Sequence, residues 1–141
     1  MRIELHETVV RQTATELAYR ELRRDLVAVE ILARSRAIQG PYATGRLAVS
    51  INVDGPRIAG WAVTGRVGSD LPYAASHDRG SEAHTIRAKP GRMLRFYWRK
   101  VARNVAFGSV NHPGTRASFF LTGPADDVLR AKNYRVVIRG R

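Results

Sequence analysis

The stretch LARSRAIQGPYATGRLAVSINV, Leu32 to Val53, decides how this chain is built, because its hydrophobic period changes half-way along. Before Gly40-Pro41 the apolar residues recur every three to five positions; after it, Leu47, Val49, Ile51 and Val53 alternate. The first period is that of a helix face and the second that of a strand with one face covered. Gly40-Pro41 between them stops a helix.

Upstream, about Glu7 to Gln39 contains neither Pro nor Gly, and Val10, Ala14, Leu17, Leu22, Leu26, Val29, Leu32 and Ala33 keep helical spacing. This predicts one long helix or two consecutive ones. Glu16 with Arg20, and Glu30 with Arg34, stand acid-before-base at i,i+4, as on a solvated helix face. Downstream, Leu47–Val53 is expected as a strand, Asp54-Gly-Pro56 as a turn, and Ile58–Val67 as the returning strand. Short strands follow at His84–Ala88, Met93–Trp98 and Val101–Phe107, with turns at Lys89-Pro-Gly91 and Arg99-Lys100. A short helix is expected within Phe119–Lys132 and a last strand at Tyr134–Arg139. The expected class is therefore α+β: a long N-terminal helix packed on a twisted, mostly antiparallel sheet, with a short C-terminal helix. One domain over residues 1–141 is expected, helical to residue 40 and β-rich beyond it.

The chain has 141 residues, 44% of them hydrophobic and 26% charged, enough for one modest core. No apolar run approaches the ~20 residues that cross a bilayer, so no membrane partner is expected. Without cysteine there is no disulfide, thiolate metal site or cysteine nucleophile, a composition that suits a reducing compartment.

Charge is the unusual property. There are 24 Lys and Arg against 12 Asp and Glu, and the excess is uneven. Residues 1–40 carry seven basic and six acidic side chains, whereas residues 41–141 carry seventeen and six. Between Glu82 and Asp126 there is no acidic residue, but there are Arg87, Lys89, Arg92, Arg95, Arg99, Lys100, Arg103 and Arg116. Such a field attracts polyanions or acidic protein surfaces. Of the 24 cations 21 are arginine, which serves protein interfaces as readily as phosphates.

Residues that could carry chemistry are few. His77, Asp78, His84 and His112 match no standard zinc or di-metal spacing, so no metal is expected, and His84 and His112 read as ring nitrogens that hold loops. No serine sits in a nucleophile elbow, and no phosphate-binding glycine loop is present, so neither catalytic residues nor a cofactor are expected. Asp126-Asp127 reads as an exposed helix start, its carboxylates diverging by about 100°. The arginine- and aromatic-rich Arg92–Lys100 could be a single-strand stacking face. It reads better as an ordinary strand, with Leu94, Phe96 and Trp98 on one face and Arg95, Tyr97 and Arg99 on the other.

Several short elements then fall into a recognisable order. They are Ala43-Thr-Gly-Arg-Leu47 with Ser50-Ile51, Val67-Gly-Ser-Asp-Leu-Pro-Tyr-Ala74, Asp78-Arg-Gly-Ser81, His84-Thr-Ile86, and His112-Pro-Gly-Thr115 with Phe120-Leu121. The series resembles the HK97 gp10-like family of tailed-phage neck and tail-completion proteins, over about residues 30 to 125. The chain departs from that pattern at Ala43, where the family has Asp, at Asp78-Arg-Gly-Ser81 in place of Glu-x-Gly-Thr, and at Phe119 in place of proline. The resemblance implies a virion protein at the head–tail junction, one subunit of a homo-oligomeric ring beside head-closure and tail proteins, with the genomic DNA close by. It implies that Thr44, Gly45, Arg46, Tyr73, Gly80, His84, His112, Pro113, Gly114, Thr115 and Phe120 shape loops and subunit contacts, with Phe119, Phe120 and Leu121 anchoring the last turn. Two alternatives remain beside it. One is a basic nucleic-acid-binding module built on Arg92–Arg103. The other is a ribonuclease toxin, since the closing YRVVIRGR resembles that of RelE-type ribosome-dependent toxins, a likeness no upstream residue shares.

Overall fold

The computed structural model describes residues 7–39 and 45–132. Thr44, His6 and the strand expected at Tyr134–Arg139 lie outside the described residues.

Helix α1 (Glu7–Ala37) is a single unbroken helix. Its buried stripe is Leu22, Leu26, Val29, Ala33 and Ala37, spaced three and four apart. Leu17 and Leu32, expected in the same stripe, are 57% and 41% exposed, and Ala14 is exposed as well. For Ala14 and Leu17 the reason is that the described residues bury the helix only from about Leu22 onward; Leu32 stands about 100° round the helix from the buried Ala33 and so falls off the buried stripe. Asp25 is buried within this half, and Lys132 reaches it, with Nζ 3.0 Å from Asp25 Oδ1 and 3.2 Å from Glu21 Oε2. The bonds to Asp25 and Glu21 hold the Lys132 ammonium above the ordinary lysine range.

The chain re-enters at Gly45, whose φ of 75° suits glycine, and forms α2 (Arg46–Ser50). A strand was expected to begin at Leu47. Instead Leu47, Ala48 and Ile51 turn inward together while Val49 is 78% exposed. Leu47 and Ile51 stand four residues apart, a spacing that serves a helical turn as well as an alternating strand, and burial of the helical face prevails. Strand β1 (Ile51–Ala59) then pairs antiparallel with β2 (Ala62–Ser69) from Ile51–Ser69 to Ala59–Ala62. Asp54-Gly-Pro56 is not the turn. The strand passes through it with a bulge between Asp54 and Arg57, and the two-residue loop is Gly60-Trp61. Across the bulge Asp54 accepts hydrogen bonds from Arg57 (2.6 Å) and Arg66 (2.7 Å). The Arg66 bond above all holds its carboxyl below the ordinary aspartate range.

Helix α1 lies across β1 and β2, and Gly65 makes room for it: a Cβ there would collide with Cδ1 of Leu26. After Tyr73 comes α3 (Ala74–Arg79), and near the end of the described chain α4 (Thr122–Leu129), which packs on α1. One apolar cluster joins these parts: Ala33 and Ala37 of α1, Leu47 and Ala48 of α2, Ile51, Ala74 and Phe120, with Val67, Leu71 and Leu121 against it. Between α3 and α4 lie β3 (His84–Arg87), β4 (Leu94–Trp98), β5 (Arg103–Phe107) and β6 (Ser109–His112). The fold is thus α+β, with its strands in three two-stranded antiparallel ladders, β1–β2, β3–β6 and β4–β5, rather than one sheet.

Asp126 and Asp127 fall in the middle of α4 rather than at its start. Their carboxylates do diverge: Asp126 faces Arg130 (2.8 Å) and Asp127 faces Arg36 (3.0 Å).

Candidate functional site

The β3–β6 and β4–β5 ladders are one hairpin. Ser81 and Thr115 exchange backbone hydrogen bonds (2.9 and 3.0 Å), His84 to Arg87 then pair with His112 to Ser109, and Ala88 N–H donates to the Gly108 carbonyl (2.8 Å). Leu94 resumes the ladder opposite Phe107, and it closes at Trp98–Arg103. Lys89 to Met93 loop out of the outgoing strand alone, turned by the bond from Arg92 N–H to the Lys89 carbonyl (2.9 Å). The tip is a 3₁₀ turn, Arg99–Val101, leaving through Ala102 at φ 49°. About a dozen residues at ~3.3 Å each make an arm about 40 Å long. None of its residues from Glu82 to Thr115 is buried, and its strands contact chiefly one another among the described residues.

The root of this arm is clamped. Gly80 (φ 80°) lies so close to the returning chain that a Cβ would sit 2.7 Å from the Thr115 carbonyl oxygen. Gly114 (φ 90°) faces the outgoing chain, where a Cβ would overlap the Ser81 carbonyl oxygen. Glycine is required at both positions, by conformation and by contact. His112 Nδ1 accepts the Gly114 N–H (3.1 Å), His84 Nδ1 donates to the Glu82 carbonyl (2.9 Å), and the two rings lie 5.1 Å apart across the ladder. Both imidazoles therefore hold turn backbone. Beneath them, the buried Asp78 accepts the N–H groups of Leu121 (2.8 Å) and Thr122 (3.2 Å) at the start of α4, while its carbonyl accepts that of Phe119 (2.9 Å). A carboxylate at that helix end is favoured by the exposed N–H groups. His77 packs edge-on against Phe120 (5.8 Å), and its Nδ1 lies 2.9 Å from Ser118 Oγ. Among the described residues no three His, Cys, Asp or Glu side chains gather as metal ligands, since these groups are committed to the root.

Most of the residues singled out in sequence meet here. Gly80, His84, His112, Pro113, Gly114 and Thr115 form the root, and Phe120 is core, 1% exposed, rather than contact surface. Gly45 and Arg46 open α2, Tyr73 precedes α3, and all three lead into residues of the same apolar cluster. Leu121 joins the anchor in part, but Phe119 does not: it is 55% exposed at φ 49°. Proline holds φ near −65°, so Phe119 adopts a backbone that the residue of the resembled family cannot.

The arm and the body handle charge in opposite ways. Arg20, Arg24, Arg34, Arg36, Arg57, Arg66, Arg130 and Lys132 each pair with a carboxylate. Among the described residues Arg87, Lys89, Arg92, Arg95, Lys100 and Arg103 have no such partner, and all six are exposed. On one face Phe107 packs with Phe96 (6.2 Å) and Trp98 (6.0 Å), and all three rings stay 37–40% exposed. Sequence reading missed β6. The mirrored His84-Thr-Ile86 and Val110-Asn-His112 were the signal for it, since they pair residue for residue.

A second uncovered surface lies at the Gly60-Trp61 loop. Trp61 is 88% and Ile58 57% exposed, and with Thr15 and Tyr19 of α1 they border an open groove of about 700 Å³. No described helix is long and apolar enough to cross a membrane. No family model, curated protein or solved structure matches the chain.

Proposed function

We propose that this chain is a structural subunit of a long-tailed phage virion, a ring-forming neck or tail-completion component that joins the DNA-filled head to the tail, and that it acts by assembly rather than catalysis. The observation that supports this best is the arm: a two-stranded extension, locked at its root by Gly80, Gly114 and Asp78, with its apolar side uncovered. A lone two-stranded ribbon is marginal in water, so an arm of this length suits a protein whose working state includes neighbours. The Trp61 groove offers a second uncovered apolar surface at the far end of α1, as a subunit with contacts on two sides requires. The ordered sequence elements that resemble the neck proteins lie mostly at the arm's root or lead into the core beneath it. In that reading their task is to aim the arm.

Disrupting the gene in the parent phage and imaging the lysate by electron microscopy tests the proposal. Full heads beside detached tails are expected. Intact, infectious virions would overturn it.

A further inference from the structure

We infer that the arm is a binding surface for double-stranded DNA, which it holds by the phosphates rather than by reading bases. The inference stands on the arm itself and holds whether or not the chain belongs to a phage neck.

Charge comes first. The arm displays Arg87, Lys89, Arg92, Arg95, Lys100 and Arg103, exposed and without carboxylate partners among the described residues, on a segment with no acidic residue between Glu82 and Asp126. In the body, by contrast, Arg20, Arg24, Arg34, Arg36, Arg57, Arg66, Arg130 and Lys132 each meet a carboxylate. The arm of a second copy, equally basic and without an acidic residue between Glu82 and Asp126, is a poor occupant for such a surface. A polyanion is a good one: each phosphate neutralised by Lys or Arg releases a condensed counterion.

Shape selects the duplex. The major groove, about 12 Å wide, admits a two-stranded β-ribbon. On this ribbon the cations are spread over the outgoing strand (Arg87, Arg95), the side loop (Lys89, Arg92), the tip (Lys100) and the returning strand (Arg103). That spread lets a ribbon in the groove meet the backbones on both sides. Single-strand binding would instead need free aromatic platforms. Here Phe96 and Trp98 both pack on Phe107, which stiffens the ribbon, and Tyr97, 58% exposed, is a single ring rather than a row of platforms. The Asn111 amide oxygen is committed within the ladder, where it accepts the Thr85 hydroxyl (2.9 Å). Contacts limited to phosphates fix position on the duplex without reading its sequence.

The test is fluorescence anisotropy of the purified full chain with a random-sequence duplex of about 20 base pairs, between about 50 and 200 mM salt. Two quadruple variants are compared with the parent: Arg92→Gln, Arg95→Gln, Lys100→Gln and Arg103→Gln in the arm, and Arg20→Gln, Arg24→Gln, Arg57→Gln and Arg66→Gln in the body. Circular dichroism confirms that each folds. The expected result is a steep loss of affinity with salt for the parent and a slope reduced by about 3 to 4 in the arm variant, ~0.9 for each phosphate contact removed. The body variant, with the same loss of formal charge, keeps most of the parent's slope, and scrambling the duplex sequence changes nothing. Equal effects of the two variants would overturn the inference by reducing binding to net charge. Tighter binding to a single strand of the same length would overturn the duplex assignment. Equal, arm-dependent binding to polyglutamate would assign the arm to acidic proteins instead.

Discussion

The body and the arm of this protein solve the same problem of composition in opposite ways. In the body, eight cations are matched to carboxylates and one set of apolar residues to one another: Asp54 serves two arginines, Asp25 and Glu21 share Lys132, and Phe120 and Ile51 are 1% and 0% exposed. In the arm neither match is made. Among the described residues Arg87, Lys89, Arg92, Arg95, Lys100 and Arg103 have no carboxylate partner, and the rings of Phe96, Trp98 and Phe107 are more than a third exposed. Paired surface ions add little to stability, and unpaired ones gain their worth from outside the chain. The difference teaches which part of the molecule carries the core and which part stands outside it.

Substitutions at the join and on either side of it can break that comparison, and the largest effect belongs to the core. Phe120→Ala should destabilise the protein by about 3–5 kcal/mol, read as a lowered denaturation midpoint, because it empties a fully buried site that the body cannot refill. Next comes the clamp. Gly114→Ala brings a Cβ onto the Ser81 carbonyl at a positive φ, and a loss of about 2–3 kcal/mol is expected in thermal melts. Asp78→Ala leaves the Leu121 and Thr122 N–H groups without their buried acceptor and should cost about 1–3 kcal/mol, lifting protease resistance from the α3–α4 junction first.

How far the sequence speaks follows the same division. The helix from Glu7 and its stripe from Leu22 to Ala33 were legible because one face of a helix repeats every turn. What the sequence did not disclose is that the described residues leave Ala14 and Leu17, before Leu22, exposed, since coverage is a property of the neighbours. The turn at Asp54-Gly-Pro56 was misread because a bulge uses the same residues as a turn. At Leu47–Ile51 a helical turn and a strand share one pattern of apolar positions. Gly80 and Gly114 were legible as turns, but not as two turns that meet, because their contact spans more than thirty residues. The basic, aromatic Arg92–Lys100 reads as a strand with a core face; Leu94–Trp98 is a strand, but among the described residues that face meets no core.

Smaller effects sharpen the contrast. The folded Asp54 carboxyl titrates below its unfolded counterpart, so its contribution is complete above the ordinary aspartate range and is lost as pH falls through that range and below. Melting temperatures of the parent and of Arg66→Gln should therefore differ near neutral pH and converge in acid. The arm has no carboxylate between Glu82 and Asp126 to lose over the same interval. The smallest effect is expected at the arm's end. Trp98→Ala should change the stability of the isolated protein by less than about 1 kcal/mol, the scale of one aromatic pair, as measured by urea denaturation. A large loss there would show that the arm contributes to the body's core.

Amide hydrogen exchange of the full chain, alone and with duplex DNA, tests most directly the claim that the core lies in the body and that the arm stands outside it. Alone, amides of α1 beyond Leu22 and of β1–β2 should be strongly protected while those of β4 and β5 exchange far faster. With the duplex present, exchange should slow in the arm and stay unchanged in the body. Arm amides as protected as the body's in the free chain, or slowing confined to the body on adding DNA, would contradict the account.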